Sequence, residues 1–163
     1  AAAIRWVLTD CDGVLTDGGV YYSERGEEMK RFNMRDGMGV KRLRLAGIET
    51  AIVTGEKSPS VQRRAEKLGI KELHLGCRDK HSLVTSLVAR LGVSWDQIAY
   101  IGDDINDLKV LRQAGLSASP ADGMQSVRSS VHLVLESRGG HGAFRELAEF
   151  ILSQTTLPAD AHD

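Results

Sequence analysis

The stretch "WVLTDCDGVLTDGG", residues 6–19, ends an apolar run in two carboxylates, Asp10 and Asp12, one residue apart. An unpaired buried charge is costly, so such a pair calls for a task. Side chains alternate along a strand, which predicts that Asp10 and Asp12 share a face while Cys11 points to the opposite one, into the core. Gly13 lets the chain turn with its backbone close to a ligand. A second stretch, "YIGDDINDLKVL", residues 100–111, ends another β run in Gly102 and then carries Asp103, Asp104 and Asp107. Asp103 and Asp107 are four apart and share a face if a helix has begun. Turn or helix capping accounts for one or two of these acids, but not for five beside one sheet edge. Converging carboxylates repel one another unless a divalent cation sits among them. Magnesium, a hard ion that takes oxygen ligands, suits the set, and no His or Cys cluster argues for zinc.

Two further pieces complete a constellation. "AIVTGEK", residues 51–57, ends a β run in Thr54 and Gly55. A hydroxyl and loose N–H groups between a strand and a helix N-terminus make an oxyanion or phosphate cradle. Lys80 stands near a helix start, where the helix dipole disfavours a cation, so a solvated surface lysine is the plainer reading only if the other pieces are absent. Together they describe phosphoryl transfer. Magnesium and Lys80 neutralise the phosphate, Thr54 holds an oxygen, and Asp10 attacks in line. Asp12 protonates the leaving oxygen and later deprotonates the attacking water.

The elements that must position these groups alternate. Strands are predicted at 4–10, 49–54, 72–75, 98–101 and 132–135, several as continuous apolar runs buried on both faces. Helices are predicted at 36–46, 58–68, 80–91, 106–114 and 141–153, with Gly47, Gly69, Gly92 and Gly115 following four of them as left-handed caps. The pattern implies an α/β fold: a Rossmann-like three-layer sandwich around a parallel sheet, as one domain over 1–163. Residues 18–33 read as an inserted β-hairpin with a turn at 23–26, and the tail from about 154 to 163 as frayed.

Composition narrows the function classes. The 163 residues carry 21 basic and 22 acidic groups, a net charge of -1 that lacks the basic excess of a nucleic-acid binder. Hydrophobic residues are 42% and aromatics 5%, as in an aliphatic α/β core. Two cysteines, Cys11 and Cys77, without a CxxC, point to a reducing, cytoplasmic setting. No apolar run reaches transmembrane length and the first residues do not form a signal peptide, so no membrane partner is expected.

The motifs DxDGxxT at 10–16, Thr54, Lys80 and GDDxxD at 102–107, each after a strand, resemble those of the haloacid dehalogenase superfamily. The resemblance implies Asp10 as nucleophile and Asp12 as acid/base. It also implies magnesium held by Asp10, the Asp12 backbone oxygen and Asp103, with Asp104 and Asp107 as supporting acids. "DGVLTDGGVYYSERGEEMKRFNMRDGMGV" and "ESRGGHGAFRELAEFIL" are similar to the cap-less 3-deoxy-D-manno-octulosonate 8-phosphate phosphatases and their relatives. That subfamily implies a homotetramer with its hairpins at the centre and Asn33, Arg35 and Asp36 near the substrate entrance. It also implies that Arg138, Gly139, Gly140, His141 and Gly142 reach an adjacent subunit's site; a flexible turn is the alternative. "TGEKSPSVQRRAEKLGI" looks closer to the branch acting on nine-carbon 2-keto-3-deoxynonulosonate 9-phosphates, in which Glu56 and Lys67, beside Gly55, would select the sugar. The alternatives are a non-catalytic assembly domain of this fold, a phosphomutase, and a phosphatase of broad specificity. The intact acidic set counts against the first and the short insertion against the second.

Overall fold

The computed structural model describes residues 3–155. Its first elements are β1 (Trp6–Thr9), β2 (Thr16–Ser23), β3 (Gly26–Phe32), α1 (Met34–Leu45), β4 (Glu49–Val53), α2 (Pro59–Leu68) and β5 (Glu72–His74). There follow α3 (Lys80–Leu91), β6 (Ile98–Ile101), α4 (Leu108–Gln113), β7 (Leu116–Ser119), α5 (Gln125–Arg128), β8 (Leu133–Val134) and α6 (Ala143–Ser153). The predicted frayed tail lies outside the described residues beyond Thr155.

Six strands form a parallel sheet in the order β5-β4-β1-β6-β7-β8. Alternation along β1 sends Val7 to one face and Leu8 to the other. Val7 packs with Val40 and Leu43 of α1, Val61 and Ala65 of α2, and Phe144, Leu147 and Ile151 of α6. Leu8 packs with Val84 and Leu87 of α3, Val110 and Leu111 of α4, and Val127 of α5. This is the expected three-layer sandwich. The chain runs outward from β1 to β4 and β5, then returns through α3 to β6 on the other side of β1. The strand order therefore reverses between β1 and β6, and ligands of open α/β sheets bind beyond the carboxyl ends at such a point.

The helix starts follow from local chemistry. Ser58 caps α2 with Pro59 in its first turn, and Asp79 caps α3 by accepting the Ser82 N–H at 3.0 Å. Gly47, Gly69 and Gly92 take positive φ as expected, and Gly115 does not. A Cβ there would lie 2.4 Å from the Asp96 carbonyl oxygen, so close backbone approach is what requires that glycine. The predicted helix at 106–114 is a short 3-10 turn, Ile105–Asp107, followed by α4. β2 and β3 pair as a separate two-stranded sheet, joined by the predicted turn. No helix among the described residues is long and apolar enough to cross a membrane.

Candidate active site

β1 stops at Thr9, so strand alternation does not place Asp10 and Asp12. A tight turn does. The Cys11 carbonyl accepts N–H bonds from Val14, Leu15 and Thr16 at 3.2, 2.9 and 3.1 Å, wrapping the chain around itself. Cys11 is fully buried in the core as predicted, and burial pushes its thiol pKa up, which keeps it inert. Asp10 is tied to β6 by its N–H to the Ile101 carbonyl at 3.0 Å, and its Oδ1 accepts the Cys11 N–H at 2.7 Å. A Cβ on Gly13, where φ is +83°, would stand 2.0 Å from Asp103 Oδ2. Gly13 is thus the residue that lets the β6 carboxylate approach the β1 turn.

Lys80, the first residue of α3, is buried between two acids, its Nζ 3.0 Å from Asp10 Oδ1 and 2.8 Å from Asp107 Oδ1. Burial alone would lower its pKa, but Asp10 and Asp107 outweigh it and hold the ammonium charged. Asp107 is saturated: the Tyr100 hydroxyl donates to Oδ1 at 2.7 Å, and the Asp103 and Asp104 N–H groups approach Oδ2 at 3.2 and 3.4 Å. Asp104 is exposed and accepts the Ile105 N–H at 2.7 Å, capping the 3-10 turn. Of the five predicted acids, Asp10, Asp103 and Asp107 converge, with one oxygen of each within 4.8 Å of the others.

Oxygens are the donors in this cluster, which suits a hard cation. Asp103 Oδ1 is buried without a hydrogen-bond partner. Burial pushes the carboxyl pKa values of Asp10 and Asp103 up, and the neighbouring negative charges add to it. A divalent cation relieves both the orphaned oxygen and the repulsion, so the residues present fit magnesium. Asp10 and Asp103 have oxygens to offer, whereas both Asp107 oxygens are already occupied by Lys80, Tyr100 and backbone N–H groups.

A cavity of about 310 Å³ opens over this cluster, lined by Asp10, Asp12, Gly13, Gly18, Thr54, Gly55, Glu56, Asp103, Asp104 and Asn106. Thr54 follows β4 and is buried, its Oγ1 accepting the Glu56 N–H at 3.2 Å. Gly55 and Glu56 are exposed at the rim. A larger cleft of about 710 Å³ lies at the opposite ends of the strands, near Ile4 and Leu116, with Asp96 its one charged lining residue among those described. It holds no constellation for catalysis.

Other predicted contacts fall elsewhere. Lys67 is exposed on α2, outside the cavity lining. Asn33 caps α1 by accepting the Arg35 N–H at 2.9 Å, and Arg35 is exposed. Asp36 is buried and accepts the Arg145 N–H at 3.0 Å, so it supports the start of α6 instead of facing the cavity. Gly139 and Gly140 pack within their own chain. The Gly140 N–H donates to the Val14 carbonyl at 2.9 Å, and Cβ atoms on the two glycines would lie 1.8 Å from Gly13 O and 2.3 Å from Asp17 N. Arg138 is exposed with its Nε 3.5 Å from Asp122, and His141 is exposed with its Nδ1 3.0 Å from the Gly139 carbonyl oxygen. Sequence reasoning missed Lys30. It sits on the hairpin strand β3 with its Nζ 2.7 Å from Asp12 Oδ1, and the available signal was a lysine in a strand inserted directly after the acidic loop.

Residues 37–115 match the family model of the haloacid dehalogenase-like hydrolases. The 3-deoxy-D-manno-octulosonate 8-phosphate phosphatase of Haemophilus influenzae is 44% identical over 149 residues, covering 91% of this chain and 83% of that protein. The Yersinia pestis phosphatase of the same name is 42% identical over 152 residues, 93% of this chain and 81% of that one. Among solved structures, the cobalt-bound Haemophilus influenzae enzyme superposes with a TM-score of 0.89 at 44% identity, covering 92% of this chain and 88% of its own. The Moraxella catarrhalis enzyme, solved with magnesium ion, phosphate ion and a KDO molecule, gives a TM-score of 0.89 at 40% identity, over 92% of this chain and 86% of its own.

Proposed function

The chain belongs to the haloacid dehalogenase-like hydrolases, in the family of the 3-deoxy-D-manno-octulosonate 8-phosphate phosphatases, and from that membership we propose that it hydrolyses the terminal phosphate of 3-deoxy-D-manno-octulosonate 8-phosphate with magnesium as cofactor. The observation that carries the reading is the buried Asp10–Lys80–Asp107 array, with Lys80 Nζ 3.0 Å from Asp10 Oδ1, under a cavity that Thr54 and Asp12 also line.

Asp10 is the nucleophile. Its Oδ1 is held by Lys80 and by the Cys11 N–H, which leaves Oδ2 to attack phosphorus. Asp12 gives a proton to the departing sugar oxygen, then takes one from the water that cleaves the aspartyl phosphate. Thr54 orients a phosphoryl oxygen with its hydroxyl, and Lys80 fixes Asp10 and balances the charge around it. Asp10, the Asp12 backbone carbonyl and Asp103 would hold magnesium, which would neutralise charge on the phosphoryl oxygens, and Asp107 supports the set through Lys80.

Glu56, at the cavity rim, keeps the nine-carbon ester as the comparison substrate, since a carboxylate there accepts hydrogen bonds from sugar hydroxyls. We also read the chain as one catalytic domain of a cytoplasmic homotetramer. The exposed Tyr21, Tyr22 and Met29 of the hairpin support the assembly as a face suited to burial between subunits.

The test is phosphate release with magnesium from the octulosonate 8-phosphate and the nonulosonate 9-phosphate, with Asp10→Asn as control. The expected result is turnover of the eight-carbon ester that falls at least about 10³-fold in Asp10→Asn. Release from neither ester by folded protein overturns the reading, and faster release from the nine-carbon ester reassigns the substrate.

A further inference from the structure

We propose that Lys30 is a positioning residue that fixes which oxygen of Asp12 meets the leaving group; the inference rests on the phosphatase reading above. Lys30 Nζ lies 2.7 Å from Asp12 Oδ1 and 3.3 Å from Glu27 Oε1, and its side chain is 1% exposed. Ser58 Oγ donates to Glu27 Oε2 at 2.5 Å and accepts the Val61 N–H at the start of α2. A line of hydrogen bonds and ion pairs therefore runs from the start of α2, through the hairpin, to the acid/base carboxylate.

An ammonium withdrawn this far from water is costly unless it is paired. Nothing in the hairpin's own packing demands it, because β2 is exposed after Thr16 and β3 is at most half-buried. What the buried Lys30 achieves is orientation. With Oδ1 held by the ammonium, Asp12 Oδ2 makes no hydrogen bond among the described residues and is the oxygen left for the cavity. In the first half-reaction Asp10 Oδ2 bonds to phosphorus. The ester P–O bond breaks with its electron pair on the sugar oxygen, and that oxygen takes the proton from Asp12 Oδ2. Proton transfer needs the carboxyl within hydrogen-bond reach and turned the right way. Without Lys30, Asp12 Oδ1 loses the partner that orients the carboxyl, and among the described residues Glu27 keeps only its bond from Ser58.

The role makes a demand that simple structural support does not. An alkoxide leaving group needs the proton, whereas p-nitrophenolate departs without one, and kcat/KM reports the steps up to that departure. For Lys30→Met, kcat/KM on the octulosonate 8-phosphate is expected to fall about 10–100-fold, while on p-nitrophenyl phosphate it changes less than about threefold. Inhibition by inorganic phosphate stays as in wild type, and Lys30→Arg recovers most of the loss. Lys30→Gln, one atom shorter, removes the charge but keeps a hydrogen-bonding end, and reads the same ratio should the methionine variant not fold. Equal losses on both esters, or no loss on the sugar ester, overturn the inference alone. A wild type that releases phosphate from neither ester overturns the phosphatase reading and this inference with it.

Discussion

At the scale of single residues, the site is an exercise in keeping carboxylates together. Lys80 lies between Asp10 and Asp107, and removing its charge leaves both acids buried and facing each other. Breaking a buried ion pair from one side costs about 3–5 kcal/mol, so Lys80→Met in magnesium-free buffer is expected to lose that much stability in urea unfolding. Added magnesium is expected to recover part of it by mass action on the folded state. Asp10, Asp12, Thr54 and Asp103 stand out in the sequence because each comes just after an apolar run, and Lys80 because it stands at a helix start; each supplies a type that phosphoryl transfer needs. Lys30 does not, since its partner Asp12 is 18 residues away across a turn that spacing alone does not orient. Asp107 was undervalued for the same reason: its weight comes from Tyr100 and Lys80, two side chains on two other elements.

At the scale of elements, the contact between α1 and α6 carries a titratable group. Asp36 on α1 accepts the Arg145 N–H of α6, and burial pushes its carboxyl pKa from 3.8 up to about 6. The folded state therefore holds that proton more tightly than the unfolded chain does. Its contribution is fully present below pH 3.8 and is lost as pH rises from 3.8 toward about 6. Asp36→Asn keeps an acceptor oxygen and removes the titration. Relative to wild type, its unfolding free energy is expected to rise by up to about 3 kcal/mol between pH 4 and pH 7, read from urea midpoints at both. The support that Asp36 gives to α6 was not legible in the sequence, because its partner is 109 residues on. The central strands and long helices were legible from continuous apolar runs and from the glycines that close the helices. β7 was not, since "LSAS" has two serines and an alanine where buried strands usually show β-branched residues. α5 spans four residues, too short for any periodicity to declare itself.

At the scale of the whole molecule, the sheet places its acids at one edge and the hairpin presents an apolar tip to solvent. Tyr21 is 61% and Tyr22 72% exposed, and they stand beside Met29 on the paired strand. In the proposed tetramer this tip is the buried centre. The double variant Tyr21→Ser, Tyr22→Ser is expected to sediment as smaller species than wild type under the same conditions, with its far-ultraviolet dichroism unchanged. A wild type that sediments as a monomer removes the tetramer. The position of β1 has another consequence, one of timing. Both of its edges are occupied by strands made later, β4 and β6, and the turn that carries Asp10 and Asp12 is backed by Gly139 and Gly140. As the chain leaves the ribosome the proposed nucleophile emerges before β4, β6 and the Gly139–Gly140 turn, and waits for support that is made later. Synthesis thus supplies its own safeguard: a nascent or prematurely terminated chain carries the reactive carboxylates, but not the scaffold that turns them into a catalyst.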